Sequence, residues 1–342
     1  MPKSAGPPTG TGARAIKVET ATIPKTTDVA ADEDTARAAA ATQATGAGNT
    51  DPPMGFLPGA FGEFLREGCD RASFIQAWLN ERGVESSALL IDGKKHVLVR
   101  FASQFYDPRF KLKTVIANHD RVAGSLGAND NSAAVWQLMS WAVRLASFPV
   151  FHNVRILFTD GEELGQSVTR QGAFAIAQTF RRLGVTNQDV YVFDACGRGD
   201  VPVLSKSGLS SFASEQFKKD FTDLFSRTQG LLKRAAGGKM MTLPVPYSDN
   251  ASFLACAIPA VAVTLLPSAE AELWARCVAE DRELETSLLH HSSEGGYPHK
   301  DKLPLTWQLF HTTGDTQDTL DEASFALMSA ILDELAREKT PV

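Results

Sequence analysis

Cysteine is scarce in this chain. Four residues, Cys69, Cys196, Cys256 and Cys277, stand far apart in 342 positions, and no CxxC pair exists. That pattern indicates neither a zinc ribbon nor a disulfide framework, and it fits free thiols in a reducing compartment. Long apolar runs are also lacking; none approaches the roughly 20 residues of a membrane-spanning helix. The N-terminus, MPKSAGPPTGTGARAIK, has no apolar core of a secretory signal, so a cytoplasmic location is expected. Positive charge is not in excess. There are 34 Lys and Arg against 40 Asp and Glu, a net charge of −6 and a pI near 5.7. No basic field therefore points to nucleic acid as a partner.

Residues 1–54 almost lack aromatics and are rich in Ala, Thr, Gly and Pro. Such a segment buries too little surface to offset its ordering entropy. It reads as a disordered low-complexity segment, with a short helix over residues 32–41 as its one candidate element. Residues 55–342 read as a single α/β domain. Helical spacing marks residues 72–82, 134–145, 173–183, 212–229, 251–257 and 322–338. Strand patterns occupy residues 96–101, 112–117, 154–159, 190–193 and 258–265. Helices and strands alternate, which predicts a central mixed, mostly parallel sheet between helices, a three-layer sandwich. Residues 266–303 are polar and hard to assign; His290, His291 and His299 look exposed there.

The chain is organised around NVRILFTDGEELG. Its apolar strand breaks at Asp160-Gly161, a turn signal, and two adjacent acids follow, Glu162 and Glu163. Two acids also suit the positive N-terminal end of a helix, so this stretch alone decides nothing. Other strand ends carry chemistry of the same kind. Asp120 follows the strand at 112–117, and Asp194 the strand at 190–193. Asp130 stands at the mouth of the next helix, which it or Asn131 is placed to cap, and His311 follows an aromatic run. Ligands of open α/β sheets collect beyond the carboxyl ends of the strands. Carboxylates and imidazole gathered there would make a zinc site, and a three-ligand site leaves a place for water.

The ordered motifs HDRV, GANDNSAAV, DGEELG, DACGRGD, SDNASF, IPA and FHTTGDT resemble those of the zinc aminopeptidase family of metallopeptidases. That family of co-catalytic zinc exopeptidases also has glutamate carboxypeptidase-like and glutaminyl cyclase-like members. The likeness covers about residues 110–330 and rests on several motifs together. It implies that Asp130 bridges two zinc ions and that Glu163 and His311 hold one of them. It makes Glu162 the general base, acting on water and then on the leaving amine. Asp194 would hold the other zinc with a histidine two residues before Asp120, and Asp120 would orient that histidine.

Here the chain departs from the pattern. Two residues before Asp120 stands Asn118, and His119 is one place off. Neighbouring side chains on a strand face opposite ways, so His119 should point away from Asn118. An amide oxygen binds zinc less well than imidazole does. One firmly bound zinc, on Asp130, Glu163 and His311, is therefore expected, with a second position, near Asn118 and Asp194, weak or empty.

Asp249 either helps hold a substrate amino group or caps the helix at Ala251. Asp315 either supports His311 or closes the Thr-Gly-Asp turn. Trp307 and Phe310 either floor a substrate pocket or belong to the core. The resemblance implies a zinc-dependent exopeptidase-like hydrolase, foremost an aminopeptidase, acting on a peptide or aminoacyl substrate. A glutaminyl cyclase-like acyltransferase with a single zinc is the alternative. A non-catalytic binding protein is the third reading, argued for by Asn118 and against by Glu162.

Overall fold

Alternation along the strands sends side chains to two opposite faces and so builds two cores. Val115, Ile156, Phe158, Tyr191, Phe193, Val261 and Val263 fall in one core, while Ile116, Leu157, Val190, Val192, Ala260 and Ala262 fall in the other. A central layer buried on both faces needs apolar residues at nearly every position, which is why these strands read as near-continuous apolar runs. The fold comes from a computed structural model that describes residues 56–163, 167–281, 283–284, 288 and 300–342. The expected disorder of residues 1–54, the helix at 32–41, and His290, His291 and His299 lie outside the described residues. The described residues belong to one compact unit, Asp51–Val342.

The sheet has eight strands: β1 (Ser86–Ile91), β2 (Lys94–Val99), β3 (Leu112–Asn118), β4 (Val154–Thr159), β5 (Gln188–Phe193), β6 (Val201–Ser205), β7 (Met241–Leu243) and β8 (Ala260–Leu266). Their order is β1-β2-β4-β3-β5-β8-β6-β7. Strands β4, β3, β5 and β8 run parallel in the centre; β1, β2 and β6 pair antiparallel. The sheet is thus mixed, as the alternation of elements predicts.

Among the described residues the helices include α1 (Gly59–Leu65), α2 (Arg71–Asn80), α3 (Ala133–Leu145), α4 (Gly172–Arg182), α5 (Glu215–Ala235), α6 (Asn250–Ala255), α7 (Ser268–Glu280), α8 (Leu305–Gln308) and α9 (Glu322–Arg337). Residues of α1, α2, α3, α5 and α9 fill the first core, and those of α4 and α6 the second. Helix α3 is buried on almost every side, so it sits inside the layer rather than on it. No helix among the described residues is long and apolar enough to cross a membrane.

Two expected helix starts are corrected. The fifth helix begins at Glu215, not at 212, because the Ser214 hydroxyl accepts from the Phe217 N–H and caps it, while Phe212 is fully exposed. Neither Asp130 nor Asn131 caps α3. Both have non-helical backbones, and the helix begins after Ser132 without a side-chain cap.

Candidate metal centre

Parallel pairing sets the level of the strand ends. Asn118, the last residue of β3, pairs in register with Thr159, the last of β4. The chain leaves β4 into Asp160–Glu163, leaves β3 into Asp120, and leaves β5 into Asp194. These acids therefore meet at one edge of the sheet, beyond the carboxyl ends of the central strands.

Asp130 arrives from a different direction, in the irregular turn Ala128–Ser132 before α3. That turn depends on Gly127, whose φ of 59° is left-handed. A Cβ there would also lie 2.6 Å from the Asp130 carbonyl oxygen, closer than any side chain tolerates. Asp315 holds the turn from outside, since its carboxylate accepts from the N–H groups of Asn129 at 2.8 Å and Asp130 at 3.0 Å. The Asp315 carboxylate thus acts on the backbone of Asp130, while its own N–H donates to the Thr312 carbonyl at 3.3 Å and closes the Thr-Gly-Asp turn, as one of the two sequence-based alternatives has it.

His311 completes the group. It sits after α8 with a left-handed φ of 61°, a conformation costly for a residue with a Cβ and one often found at functional sites. Its Nε2 lies 2.9 Å from Glu163 Oε2 and 3.3 Å from Asp130 Oδ2. Ligand atoms of Asp130, Glu163 and His311 all fall within 4.8 Å of one another. Glu163 and Asp130 side chains are 2% and 7% exposed while that of His311 is 43% exposed, so the group opens to solvent at the imidazole. Burial, followed by the charges of Asp130, Asp120 and Asp194, pushes the Glu163 carboxyl well above its ordinary range. Two carboxylates and an imidazole converging in this way suit zinc, and a dication would relieve their crowding.

Glu162 lies beside this group. Burial first, and then Glu163, Asp249, Asp194 and Asp120, raise its carboxyl well above the usual range. Its Oε1 accepts from Gln171 Nε2 at 2.9 Å, and Gln171 Oε1 in turn accepts from Ser252 Oγ at 2.6 Å. Ser252 therefore fixes the amide so that its NH2 end meets Glu162. Neither residue stands out in the sequence, because an isolated Gln or Ser carries no motif.

The remaining acids divide. Asp120 accepts from the backbone N–H groups of Glu162 at 3.2 Å and Glu163 at 2.9 Å, and so fixes the turn that carries both glutamates. Asp194 Oδ1 is buried without a hydrogen-bond partner among the described residues, and burial, with Asp130 next, pushes its carboxyl up to about 8. Asp249 stands at the start of α6 but makes no cap bond. Its Oδ2 accepts from Thr159 Oγ1 at 2.5 Å, and its Oδ1 has no partner among the described residues. Burial raises it to about 7. Trp307 packs edge-on against Trp274 at 5.6 Å in the core and, with Phe310, also lines a narrow cleft beside Asp194 and Ser248.

Asn118 turns its amide nitrogen, not its oxygen, toward the neighbouring acids. Its Oδ1 accepts from Asn131 Nδ2 at 2.7 Å, and its own Nδ2 faces Asp120 Oδ1 and Glu163 Oε1, each at 3.5 Å. His119 faces elsewhere, as alternation requires, with Nε2 2.9 Å from the Lys95 carbonyl oxygen. Arg71, 6% exposed, is a buried cation near the group. It donates to Ser132 Oγ, lies over the Phe64 ring and attracts Asp120 and Glu163 electrostatically. Its place in α2, far from every motif, hid it from sequence reading.

Known structures share this architecture. A leucine aminopeptidase precursor from Bacteroides thetaiotaomicron is 15% identical over 80% of this chain and 92% of its own, with a TM-score of 0.56. A glutaminyl cyclase from the same organism, bound to N-acetylhistamine, is 14% identical over 81% and 94%, with a TM-score of 0.56. A Zn-dependent exopeptidase from Parabacteroides distasonis is 11% identical over 81% and 95%, with a TM-score of 0.53. A search of curated proteins gives no match. The model of peptidase family M28 matches residues 111–336, from β3 through α9. With that match over more than half of its length, the chain belongs to peptidase family M28.

Proposed function

We infer that the chain is a zinc-dependent exopeptidase-like hydrolase, foremost an aminopeptidase, with one metal held by Asp130, Glu163 and His311. The observation that carries this reading is the convergence of those three donors beside Glu162. Bound there, zinc supplies a Lewis acid for the scissile carbonyl and lowers the pKa of water. Glu162, held through Oε1 by Gln171, keeps Oε2 to take a proton from the attacking water. The same carboxyl then gives that proton to the departing amine as the C–N bond breaks. Asp120 holds the turn that sets Glu162 and Glu163 side by side, and Asp315 holds Asp130 in place. Asp249, with one oxygen unpartnered among the described residues and its charge felt by Glu162, would meet a free amino group of the substrate.

A glutaminyl cyclase-like acyl transfer is the second reading, favoured by the single three-donor set among the described residues. There the substrate's own amine attacks and ammonia leaves. Product mass separates the two. The zinc-loaded chain is incubated with aminoacyl amides, dipeptides and N-terminal glutaminyl peptides, and products are read by mass spectrometry. Fragments that sum to substrate plus water support the hydrolase. Loss of ammonia from glutaminyl peptides alone supports the cyclase. Neither product from a chain with its zinc in place would move the assignment to a binding protein.

A further inference from the structure

Which end of an asparagine faces a metal position is decided by its neighbours, and here the neighbours are backbone groups. Asn131 Oδ1 accepts from the Ala195 N–H at 3.2 Å, and Asn131 Nδ2 donates to the Phe193 carbonyl at 3.0 Å. Backbone donors and acceptors cannot be exchanged, so the orientation of this amide is fixed. Its remaining N–H is directed at Asn118, 2.7 Å away, and can be met only by an oxygen. Asn118 must then present its NH2 end to Asp120 and Glu163. Both asparagines are buried, at 2% and 0% exposure, so bulk water does not compete for these bonds. Turning Asn118 over would set its NH2 against the NH2 of Asn131 and leave buried polar groups unpaired.

We propose that Asn131 locks Asn118 as a hydrogen-bond donor to the carboxylates, and that this lock closes the second metal position. An N–H end repels a cation, and it stands where the paired-metal pattern has an imidazole nitrogen that gives its lone pair to the ion. Asp194 has a buried oxygen without a hydrogen-bond partner among the described residues. Asn131 is thus a positioning residue for metal number. This proposal rests on the one-zinc reading of the same site, but it makes a claim about a difference between variants that stands apart from that reading.

The test is zinc content per chain by elemental analysis, after dialysis against zinc, for the native chain, Asn118→Asp and Asn118→Ala. Aspartate keeps an oxygen for Asn131 and turns a second oxygen to where the Asn118 NH2 stands, toward Asp120 and Glu163. The expected result is one more zinc per chain in Asn118→Asp than in the native chain, and no loss in Asn118→Ala. Equal zinc in Asn118→Asp and native chain overturns the lock. So does a native chain with two zincs, or a zinc lost in Asn118→Ala, since Asn118 would then be a ligand. A native chain without zinc, with one gained in Asn118→Asp, sustains the lock and overturns the one-zinc hydrolase reading. No zinc in any of the three overturns both. If Asn118→Asp fails to fold by circular dichroism, Asn118→His carries the decision: one more zinc than the native chain sustains the lock, and equal zinc overturns it.

Discussion

The acids beyond β3, β4 and β5 form two halves of unlike construction. In one half, Asp130, Glu163 and His311 turn their ligand atoms toward one point, each held by its own device: Asp315 behind Asp130, Asp120 behind Glu163, and a left-handed backbone at His311. In the other half, Asn118 turns a donor toward the acids, and an oxygen of Asp194 has no hydrogen-bond partner among the described residues. Both halves are rich in groups that bind metals when suitably turned. What separates them is orientation, and orientation is set by backbone groups outside the site.

Glu162 lies beside the convergent half without belonging to it. Glu162→Gln should lower turnover by about 10²–10⁴-fold, the usual loss when an acid–base group is removed. Zinc content should stay unchanged; zinc lost together with activity would make Glu162 a ligand instead. His311→Ala should weaken zinc binding by more than the roughly 10–100-fold that loss of an outer partner costs. Zinc titration checks this, and undiminished affinity would break the distinction between the halves.

Asp315→Asn tests a support rather than a ligand. One of the two backbone N–H groups that it holds would face an NH2 group, at a cost of about 1–3 kcal/mol in stability. Zinc affinity should fall by roughly 10-fold as Asp130 loosens. Denaturant midpoints and zinc titration read the two effects. A stable variant with native affinity would remove Asp315 from the construction of the site.

The opposite end of the sheet provides the smallest effect and a control. His152, just before β4, is 1% exposed and packed among Phe101, Phe105, Tyr106 and Phe148. Its Nδ1 accepts from the Val154 N–H at 3.0 Å, so a proton has no room there. Burial, then the charges of Lys113 and Lys339, lowers it to about 4. A lowered folded value leaves the unfolded chain binding more protons between that value and the unfolded pKa of about 6.5. The stabilisation from His152 is therefore complete above about pH 6.5 and is lost as pH falls toward about 4. From pH 7.5 to 5.5 the loss should be about 1 kcal/mol. His152→Gln should flatten that slope without changing zinc content. An unchanged slope would place the acid sensitivity elsewhere.

Legibility in the sequence follows burial. Strands β3, β4, β5 and β8 were readable because both of their faces are buried and their composition shows it. Strand β1 was not, since it lies at an edge with an exposed Leu90, although Asp92-Gly93, with φ of 51° and 75°, is the turn that joins it to β2. Strands β6 and β7 are only five and three residues long, and β6 carries Pro202. Helix α7 falls in the stretch that sequence could not assign, and it buries only Ala271 and Trp274.

By itself, the sequence determined the family, the layered α/β architecture and the residue types at the strand ends, because periodicity and ordered motifs are properties of the chain. Only the tertiary structure decided what those residues do to one another. Gln171 meets Glu162, Asp315 meets the backbone of Asp130, and Asn131 turns Asn118, through contacts between residues 9, 185 and 13 positions apart. Whether an amide offers oxygen or nitrogen depends on its partners in space, and no local pattern encodes that choice.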